Sequence, residues 1–319
     1  MKLHILYENE DWMPPLRSAL RHRGLTWAEH LMDGDRIEIG KLPEPGVWLN
    51  RMSPSSHTRG HQGGLLVARE WIFQLEQRGD RVINGSAALR LELSKLHQYA
   101  ALEASGIRTP RTIGVVGREG LAAAARQMAM PFITKHNQGG KGLGVRLFES
   151  LGTFDAYVEG PDFEPSPDGI TLLQQYIPPR DQTITRAEIV NGKFLYAVKV
   201  GTGQGFELCP ADVCQVGDDF CPTDGAGLFS LREDISAQDP LIARLAAFTR
   251  DQGLDVAGIE WVEDDDGTPY VYDINATTNF NSDVETRHGL DGMGAIADLC
   301  RACLCEQVAG QEALKEAQR

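Results

Sequence analysis

The sequence has no apolar run of about 18 residues, which is the minimum for a helix that spans a bilayer. Basic residues are in deficit, with 31 Lys and Arg against 45 Asp and Glu and a formal net charge of −14. A chain this acidic is not attracted as a whole to nucleic acid or to anionic membranes. Near the amino terminus, Glu8, Glu10 and Asp11 follow the first apolar residues too closely for a signal peptide. We therefore expect a cytoplasmic protein with no nucleic-acid or membrane partner.

Cysteine is also scarce, with six residues in a chain of 319. In a cytosolic protein we expect no disulfides among them. Their spacing lacks the paired C-x-x-C pattern of structural zinc sites, so zinc is the less favoured alternative. Cys300 and Cys303 lie three residues apart in a predicted helix, and we expect both to be small buried apolar residues. The remaining cysteines are Cys209, Cys214, Cys221 and Cys305.

A composition of 42% hydrophobic and 24% charged residues is typical of a soluble globular protein. The first part of the chain alternates predicted strands, at residues 2–7, 47–50 and 81–84, with predicted helices at 14–23 and 65–77. That alternation indicates a small open α/β lobe. We therefore predict a first lobe over residues 1–85, a second over 86–172 and a third over 173–319.

A polar, basic segment, residues 51–61, follows the second of these strands. Ligands of open α/β sheets gather beyond the carboxyl ends of strands, which makes this segment a candidate substrate loop. Arg51 and Arg59 would suit a substrate carboxylate, while Ser53 and His57 are further candidate contacts. The alternative is an ordinary solvated loop with surface histidines.

A glycine-rich loop at residues 137–144 joins two predicted strands, 131–135 and 145–148. Phosphate loops of the G-x-x-x-x-G-K-[ST] type and dinucleotide fingerprints open a helix instead, so both are excluded. Backbone N–H groups of glycines can converge on an anion, and Lys135 and Lys141 add positive charge. Phosphate binding is therefore favoured over a merely flexible hairpin tip. The glycines are Gly139, Gly140, Gly142 and Gly144.

Two acidic residues near the carboxyl end have a spacing that builds a cation site. Residues 258–262 and 270–275 read as strands, and Asp266-Gly267 between them is a hairpin signal. A turn centred there places Glu260 opposite Asp273, with Asn275 on the same face. Facing carboxylates repel each other unless a positive charge lies between them, and oxygen ligands suit Mg²⁺ or Mn²⁺. The alternative is a solvated hairpin with scattered acids.

The third lobe is predicted to begin after a strand at residues 172–177, where Pro178-Pro179 forms a stiff break suited to a hinge. A second hairpin follows, in which strands at 184–190 and 193–200 flank Asn191-Gly192. Arg186 and Lys199 project from these strands. Helices are predicted at 239–252 and 292–308, before and after the acidic hairpin.

These features follow one another as a helix with Lys95, a strand ending at Lys135, a glycine-rich loop, a hinge strand, Arg186 and the acidic hairpin. That order resembles the ATP-grasp superfamily, and within it the RimK-type α-L-glutamate ligase family. The resemblance covers residues 84–285. It implies an α/β (α+β) ATP-grasp fold, in which an open α/β pre-ATP-grasp lobe precedes two lobes that clasp ATP.

The resemblance also implies roles for single residues. Lys95, Lys135 and the glycine-rich loop would meet the ATP phosphates, and the 174–177 segment would receive the adenine. Arg186, with Lys141 and Lys199, would face the transferred phosphate or an acyl-phosphate intermediate. The implied ligands of Mg²⁺ or Mn²⁺ are Glu260, Asp273 and Asn275, and the implied adenine contacts are Gln174, Gln175, Tyr176 and Ile177.

Three positions depart from the family pattern. Gln175 and Asp273 each replace the usual Glu, and the ribose-binding Asp falls on Ile184, which leaves Asp181 as the nearby candidate. Residues 276–281 form a polar wall where the family often has a small residue, Pro and Gly, so Asn279 and Asn281 are expected to contact substrate.

The function implied is an ATP-dependent carboxylate–amine ligase that joins an amino acid to a peptide, a protein or a small acid. Two alternatives stay open, a nucleotide-binding regulatory or scaffold protein without catalysis and a small-molecule kinase on the same fold. The oligomeric state also stays open and includes a homo-oligomer.

Overall fold

The computed structural model describes residues 1–34, 36–140, 142, 144–202 and 229–317. Within these residues the chain forms three sheets that follow one another along the sequence. None of the described helices is both long enough and apolar enough to cross a membrane.

The first sheet is parallel throughout, with strand order β2-β1-β3-β4. The predicted strands and helices of this lobe are all present, whereas β2 was not predicted because it is a half-exposed strand at the sheet edge. Short 3₁₀ helices cover Glu10–Trp12 and Pro54–Arg59. The main elements are β1 (Lys2–Tyr7), α1 (Met13–His22), β2 (Trp27–Leu31), β3 (Gly46–Arg51), α2 (Gln62–Arg78) and β4 (Arg81–Ile83).

The second sheet has the order β5-β8-β6-β7, and each pair is antiparallel. The helix predicted over residues 86–105 is divided, because Ser94 is extended and its hydroxyl caps a new helix by accepting from His97 N. The last strand, β8, runs through the lobe boundary predicted at residue 172. The elements are α3 (Ser86–Glu92), α4 (Lys95–Ala104), β5 (Thr112–Val116), α5 (Leu121–Ala125), β6 (Phe132–His136), β7 (Arg146–Phe148), α6 (Leu151–Glu159) and β8 (Ile170–Gln175).

The third sheet is antiparallel, with order β11-β10-β9-β12-β13. One face packs against the first lobe and the final helix, and the other packs against α7, so both faces are covered. Helices α6 and α8 were not predicted. The elements are β9 (Thr183–Val190), β10 (Lys193–Gly201), β11 (Phe229–Leu231), α7 (Pro240–Asp251), β12 (Val256–Glu263), β13 (Pro269–Asn275), α8 (Ser282–His288) and α9 (Gly292–Ala317).

Asn84 joins the first lobe to the third. Its side chain is buried, accepts from the N–H groups of Asp255 and Val256, and donates to the carbonyls of Val256 and Ala276. All four bonds are between 2.7 and 3.1 Å. Because buried polar groups are costly when unpaired, this fully paired amide holds the two lobes in one arrangement.

Candidate active site

The three lobes enclose a cavity of about 400 Å³. Most of the residues predicted to bind nucleotide or metal line it. They are Lys95, Lys135, Gly139, Gly140, Gly142, Gln174, Gln175, Tyr176, Ile177, Arg186, Glu260, Asp273 and Asn275, joined by Ser53 and Asn279 of the predicted substrate contacts. We refer to this cavity as the cleft.

The acidic hairpin has the predicted pairing at the key positions. Glu260 lies opposite Asp273, and Gly258 lies opposite Asn275. The connection is longer than a two-residue turn at Asp266-Gly267, because Glu263 pairs with Pro269, one residue away from the expected register. A bulge beside Glu260 corrects this offset of one residue, and the carboxylates therefore share one face after all.

Protein cations already lie beside both carboxylates. Lys95 Nζ donates to Asp273 Oδ1 at 2.5 Å, and Arg186 Nη1 donates to Glu260 Oε1 at 2.7 Å. Burial raises the pKa of Glu260, whereas Asp273, although burial opposes the change, has its pKa lowered by Lys95 and Lys135. Side chains of the chain itself therefore supply positive charge beside the facing acids.

The same residues still fit a magnesium or manganese ion. The carboxylates and the amide of Asn275 offer hard oxygen donors, and Mg²⁺ beside a nucleotide needs only one or two carboxylates because phosphates complete its shell. Asn275 Nδ2 lies 3.5 Å from Glu260 Oε1, which leaves the amide oxygen of Asn275 for a cation. Among the described residues no group of three or more His, Cys, Asp or Glu side chains could hold a metal by itself.

Arg186 is the centre of a buried hydrogen-bond network on β9. Its Nε donates to Glu188 at 2.7 Å, and its Nη2 donates to the hydroxyl of Thr278 at 2.6 Å. Although burial opposes the change, Glu188 and Glu260 raise the pKa of Arg186, so it stays charged. Gly258 makes room for it, because a Cβ at that position would lie 2.3 Å from Arg186 Nη2.

Lys135 differs from the other cations of the cleft. It is buried on β6, its Nζ donates to the carbonyl of Tyr272 at 3.2 Å, and burial lowers its pKa. Of the described lysines and arginines that line the cleft, it is the one with no ion pair to a carboxylate within 4 Å. A buried cation of this kind is suited to an anionic ligand such as phosphate.

Gly139, Gly140 and Gly142 of the glycine-rich loop line the cleft, and Gly140 approaches the first lobe. A Cβ at Gly140 would be 3.5 Å from the Cβ of Ser55, in the 3₁₀ helix Pro54–Arg59. Gly142 and Gly144 have φ angles of 73° and 75°, a conformation that favours glycine. Lys141, predicted to contribute here, lies outside the described residues.

The sequence does not match any protein-family model or any curated protein. Solved structures, in contrast, match almost the whole chain. A RimK domain ATP-grasp protein from Sphaerobacter thermophilus DSM 20745 has a TM-score of 0.66 and 20% identity, over 93% of this chain and 98% of its own. D-alanine–D-alanine ligase from Bacillus anthracis, complexed with ATP, has a TM-score of 0.64 and 14% identity, over 98% and 99%.

The ATP-grasp ligase PsnB, complexed with minimal precursor, Mg and ADP, has a TM-score of 0.63 and 15% identity, over 95% of this chain and 97% of its own. The chain has the ATP-grasp fold. The fold expected from the order of the sequence motifs is therefore confirmed.

Two predicted residues of the ATP-grasp lobes lie away from the cleft. Lys199 and Asp181 line a separate polar cavity. A two-residue Asn191-Gly192 turn would place Lys199 on the face of Arg186, but a bulge between Phe194 and Tyr196 shifts the register, and Lys199 pairs with Thr185. A shift of one residue moves a side chain to the other face, so Lys199 lies on the face opposite to Arg186 and away from the cleft.

Several predicted substrate contacts bond to other parts of the protein. Arg59 is paired with the buried carboxylate of Glu8, and His57 Nδ1 bonds to the carbonyl of Pro54 at 3.1 Å. Asn281 accepts from Val284 N at 2.9 Å and so caps α8. None of Arg51, His57, Arg59 and Asn281 lines the cleft.

Glu92 is a cleft residue that sequence reasoning missed. It lies on α3, accepts from the N–H of Ala276 and is buried, which raises its pKa to about 7. It follows Ala88 by four residues, so both lie on the buried face of the helix. A charged residue at a core position of a predicted helix is the feature of the sequence that could have identified Glu92 as a candidate. Trp12, His136, Tyr272 and Thr277 also line the cleft and were not predicted.

Where this chain departs from the usual ATP-grasp pattern, the side chains have local partners. Gln175 Oε1 accepts from Arg111 N at 3.3 Å, and Gln174 Nε2 donates to Thr112 Oγ1 at 2.9 Å. Both glutamine side chains are therefore tied to β5 or to the residue just before it. Tyr176 and Ile177, the other two predicted adenine contacts, line the cleft beside them.

Proposed function

We propose that this protein is an ATP-dependent carboxylate–amine ligase that forms an acyl phosphate and releases ADP. The observation that carries the proposal is the convergence in one cleft of two facing carboxylates, a buried lysine without a carboxylate partner and a buried arginine held by two acids. The solved structures that share the fold include D-alanine–D-alanine ligase and the ligase PsnB in complex with a precursor peptide. They support an amino acid or peptide as one substrate.

The chemical problem is that a carboxylate oxygen is a poor leaving group. Transfer of the γ-phosphoryl group of ATP turns that oxygen into part of a phosphate, which leaves readily when an amine attacks the carbonyl carbon. The protein is therefore required mainly to orient the reactants, to exclude water and to stabilise charge. It needs no nucleophile of its own.

Each charged residue has a part in this scheme. Glu260, Asp273 and Asn275 would hold Mg²⁺, which supplies charge neutralisation at the phosphates when it is bound. Lys135, without a carboxylate partner, would bind phosphate oxygens directly, and Lys95 would do so beside Asp273. Arg186 would stabilise the oxyanion formed when the amine attacks, because Glu188 and Thr278 fix its guanidinium in place before the reaction.

Trapping with hydroxylamine tests the proposal. Purified protein with ATP and Mg²⁺ is screened against carboxylic acids, with hydroxylamine as a small general nucleophile. The proposal expects ADP release that depends on the acid, together with a hydroxamate of that acid detected by mass. A stable phosphorylated metabolite without hydroxamate would establish a kinase instead. Nucleotide binding with no acid-dependent ADP release across a broad panel would favour a scaffold.

A further inference from the structure

A β-bulge on β13 brings an extra residue, Tyr272, into the cleft. Asp273 and Val271 pair with successive residues of β12, so Tyr272 between them has no partner on that strand. Side chains of an unbroken strand alternate between its two faces, whereas a bulge re-aims one of them. Tyr272 and Asp273 are adjacent in the sequence, and both line the cleft because of the bulge.

The carbonyl and the ring of Tyr272 are the partners of the lysine that has no carboxylate. Lys135 Nζ donates to the carbonyl of Tyr272 at 3.2 Å, and the buried Tyr99 donates its hydroxyl to the same carbonyl at 3.0 Å. Lys135 Nζ also lies 5.1 Å from the centroid of the Tyr272 ring, within the range of a cation–π contact. One residue thus gives the lysine both a carbonyl oxygen and an aromatic face.

The type of partner matters, because it decides whether Lys135 stays available to an anion. A carboxylate paired with the lysine would have to be displaced by an incoming phosphate, whereas a carbonyl and a ring are neutral and weaker partners. The nearby carboxylates form ion pairs elsewhere, Asp273 with Lys95 and Glu260 with Arg186. Lys135 is therefore held in position without an ion pair of its own.

The hydroxyl of Tyr272 reaches the metal-binding side of the cleft. It donates to Glu260 Oε2 at 3.1 Å, while Arg186 Nη1 donates to Glu260 Oε1 at 2.7 Å. Each carboxylate oxygen of Glu260 thus has a donor, which fixes the rotation of the group. Hydrogen bonds of this kind orient the ligands of a metal ion, and loss of one typically weakens metal affinity by about 10–100-fold.

We infer that Tyr272 is a positioning residue, which sets the phosphate-binding Lys135 and the metal-binding Glu260 in one arrangement before nucleotide arrives. Its ring and carbonyl act on the lysine, and its hydroxyl acts on the glutamate. Without the bulge, the side chain of Tyr272 would lie on the face opposite to Asp273 and could make neither side-chain contact. The inference rests on the proposed function, because it takes from it the roles of Lys135 and Glu260.

Two substitutions separate the hydroxyl from the ring. Tyr272→Phe removes the hydroxyl alone, Tyr272→Leu removes the hydroxyl and the ring, and both keep the carbonyl. The first measurement is the Mn²⁺ concentration that half-saturates the protein in the presence of a non-hydrolysable ATP analogue, read from the EPR signal of free Mn²⁺. The second is the affinity for the same analogue in EDTA, measured by calorimetry, in which no metal takes part.

The two variants should differ in the metal-free measurement. Tyr272→Phe should raise the Mn²⁺ concentration by about tenfold, the lower end of the range for such a partner, and leave the metal-free affinity unchanged. Tyr272→Leu should raise the Mn²⁺ concentration as far and also weaken metal-free binding by about fivefold, the value of a modest cation–π contact. The second loss should vanish in a Lys135→Met background, because the ring acts through the lysine.

Tyr196→Phe is the matched control, because the Tyr196 hydroxyl donates to Glu285 Oε1 at 2.8 Å and neither residue lines the cleft. It should leave both measurements at their wild-type values. The inference is overturned if Tyr272→Phe keeps the wild-type Mn²⁺ requirement, or if Tyr196→Phe shifts that requirement equally. It is also overturned if Tyr272→Leu binds the metal-free analogue as tightly as Tyr272→Phe. Failure of the ligase proposal is distinguishable, since then no acid gives hydroxamate while both binding measurements, which need no acid, still test Tyr272.

Discussion

The metal site can be tested with two glutamates that bind the same arginine. Glu188 and Glu260 each accept from Arg186 at 2.7 Å, and both are buried. They differ in their relation to the cleft, because Glu260 lines it opposite Asp273 whereas Glu188 does not line it. Glu260→Gln and Glu188→Gln therefore remove the same charge from the same guanidinium, and only the first removes a proposed ligand of Mg²⁺.

The expected magnitudes follow from these contacts. In each variant the glutamine can still accept from Arg186, so a charged hydrogen bond becomes a neutral one, which lowers the free energy of unfolding by about 1–2 kcal/mol. Both variants should therefore fold. Loss of one of two carboxylate ligands should weaken the metal site by about 3 kcal/mol, which corresponds to roughly a hundredfold more Mg²⁺ for half-maximal rate.

The assay is a titration of Mg²⁺ at saturating ATP, read as acid-dependent ADP release. Glu260→Gln and Asp273→Asn should shift the Mg²⁺ requirement strongly, and Glu188→Gln should leave it near the wild-type value. If Glu188→Gln shifts the requirement as far as Glu260→Gln, the effect passes through Arg186 and the metal assignment is refuted. An unchanged Mg²⁺ requirement in Glu260→Gln would refute it as well.

Glu92→Gln should remove a pH dependence of stability. Burial raises the pKa of Glu92 from 4.5 to about 7, so the native state keeps a proton that the unfolded state releases, and wild-type stability falls as pH rises through that window. Denaturant unfolding should show that the variant is more stable than wild type by up to about 3 kcal/mol above pH 7. Below pH 4.5 the two proteins should be equally stable. A difference in stability that does not change with pH would contradict this prediction. Gly258→Ala should push Arg186 from its position and lower kcat far more than nucleotide affinity. Gly152→Ala, at a position with open space, is the control and should leave both quantities unchanged. Equal behaviour of the two variants would contradict the role given to Arg186.

Two hairpins of the third sheet show how far register can be predicted from sequence. In each, a turn dipeptide located the hairpin correctly, and in each a β-bulge then shifted the pairing by one residue. The bulge beside Glu260 offsets a turn that was itself wrong by one residue, so Glu260 and Asp273 face each other as expected. The bulge after Phe194 follows a correctly predicted turn, and it carries Lys199 to the opposite face. Bulges arise from local packing that a turn signal does not report.

The cleft was partly predictable for a related reason. Lys135, Arg186 and Asn275 lie on strands whose apolar alternation was clear, so their side chains could be assigned to a face. Glu92 and Arg51 were harder, because their roles depend on the backbone of residues 276–279, to which they bond from distant parts of the chain. The orientation of the Asn279 amide depends in the same way on its bond with Arg51, a contact that no spacing in the sequence encodes.

Oxygen transfer from the acid to phosphate tests the central claim most directly. In an acyl phosphate, one carboxylate oxygen of the acid bonds to phosphorus, and it leaves with the phosphate when a nucleophile attacks the carbon. An acid labelled with ¹⁸O in its carboxylate is therefore incubated with ATP, Mg²⁺ and a nucleophile, and the inorganic phosphate is analysed by mass. The account predicts one ¹⁸O atom in each phosphate released by acid-dependent turnover. Release of unlabelled phosphate in equal amount to the product that joins the acid to the nucleophile would contradict it.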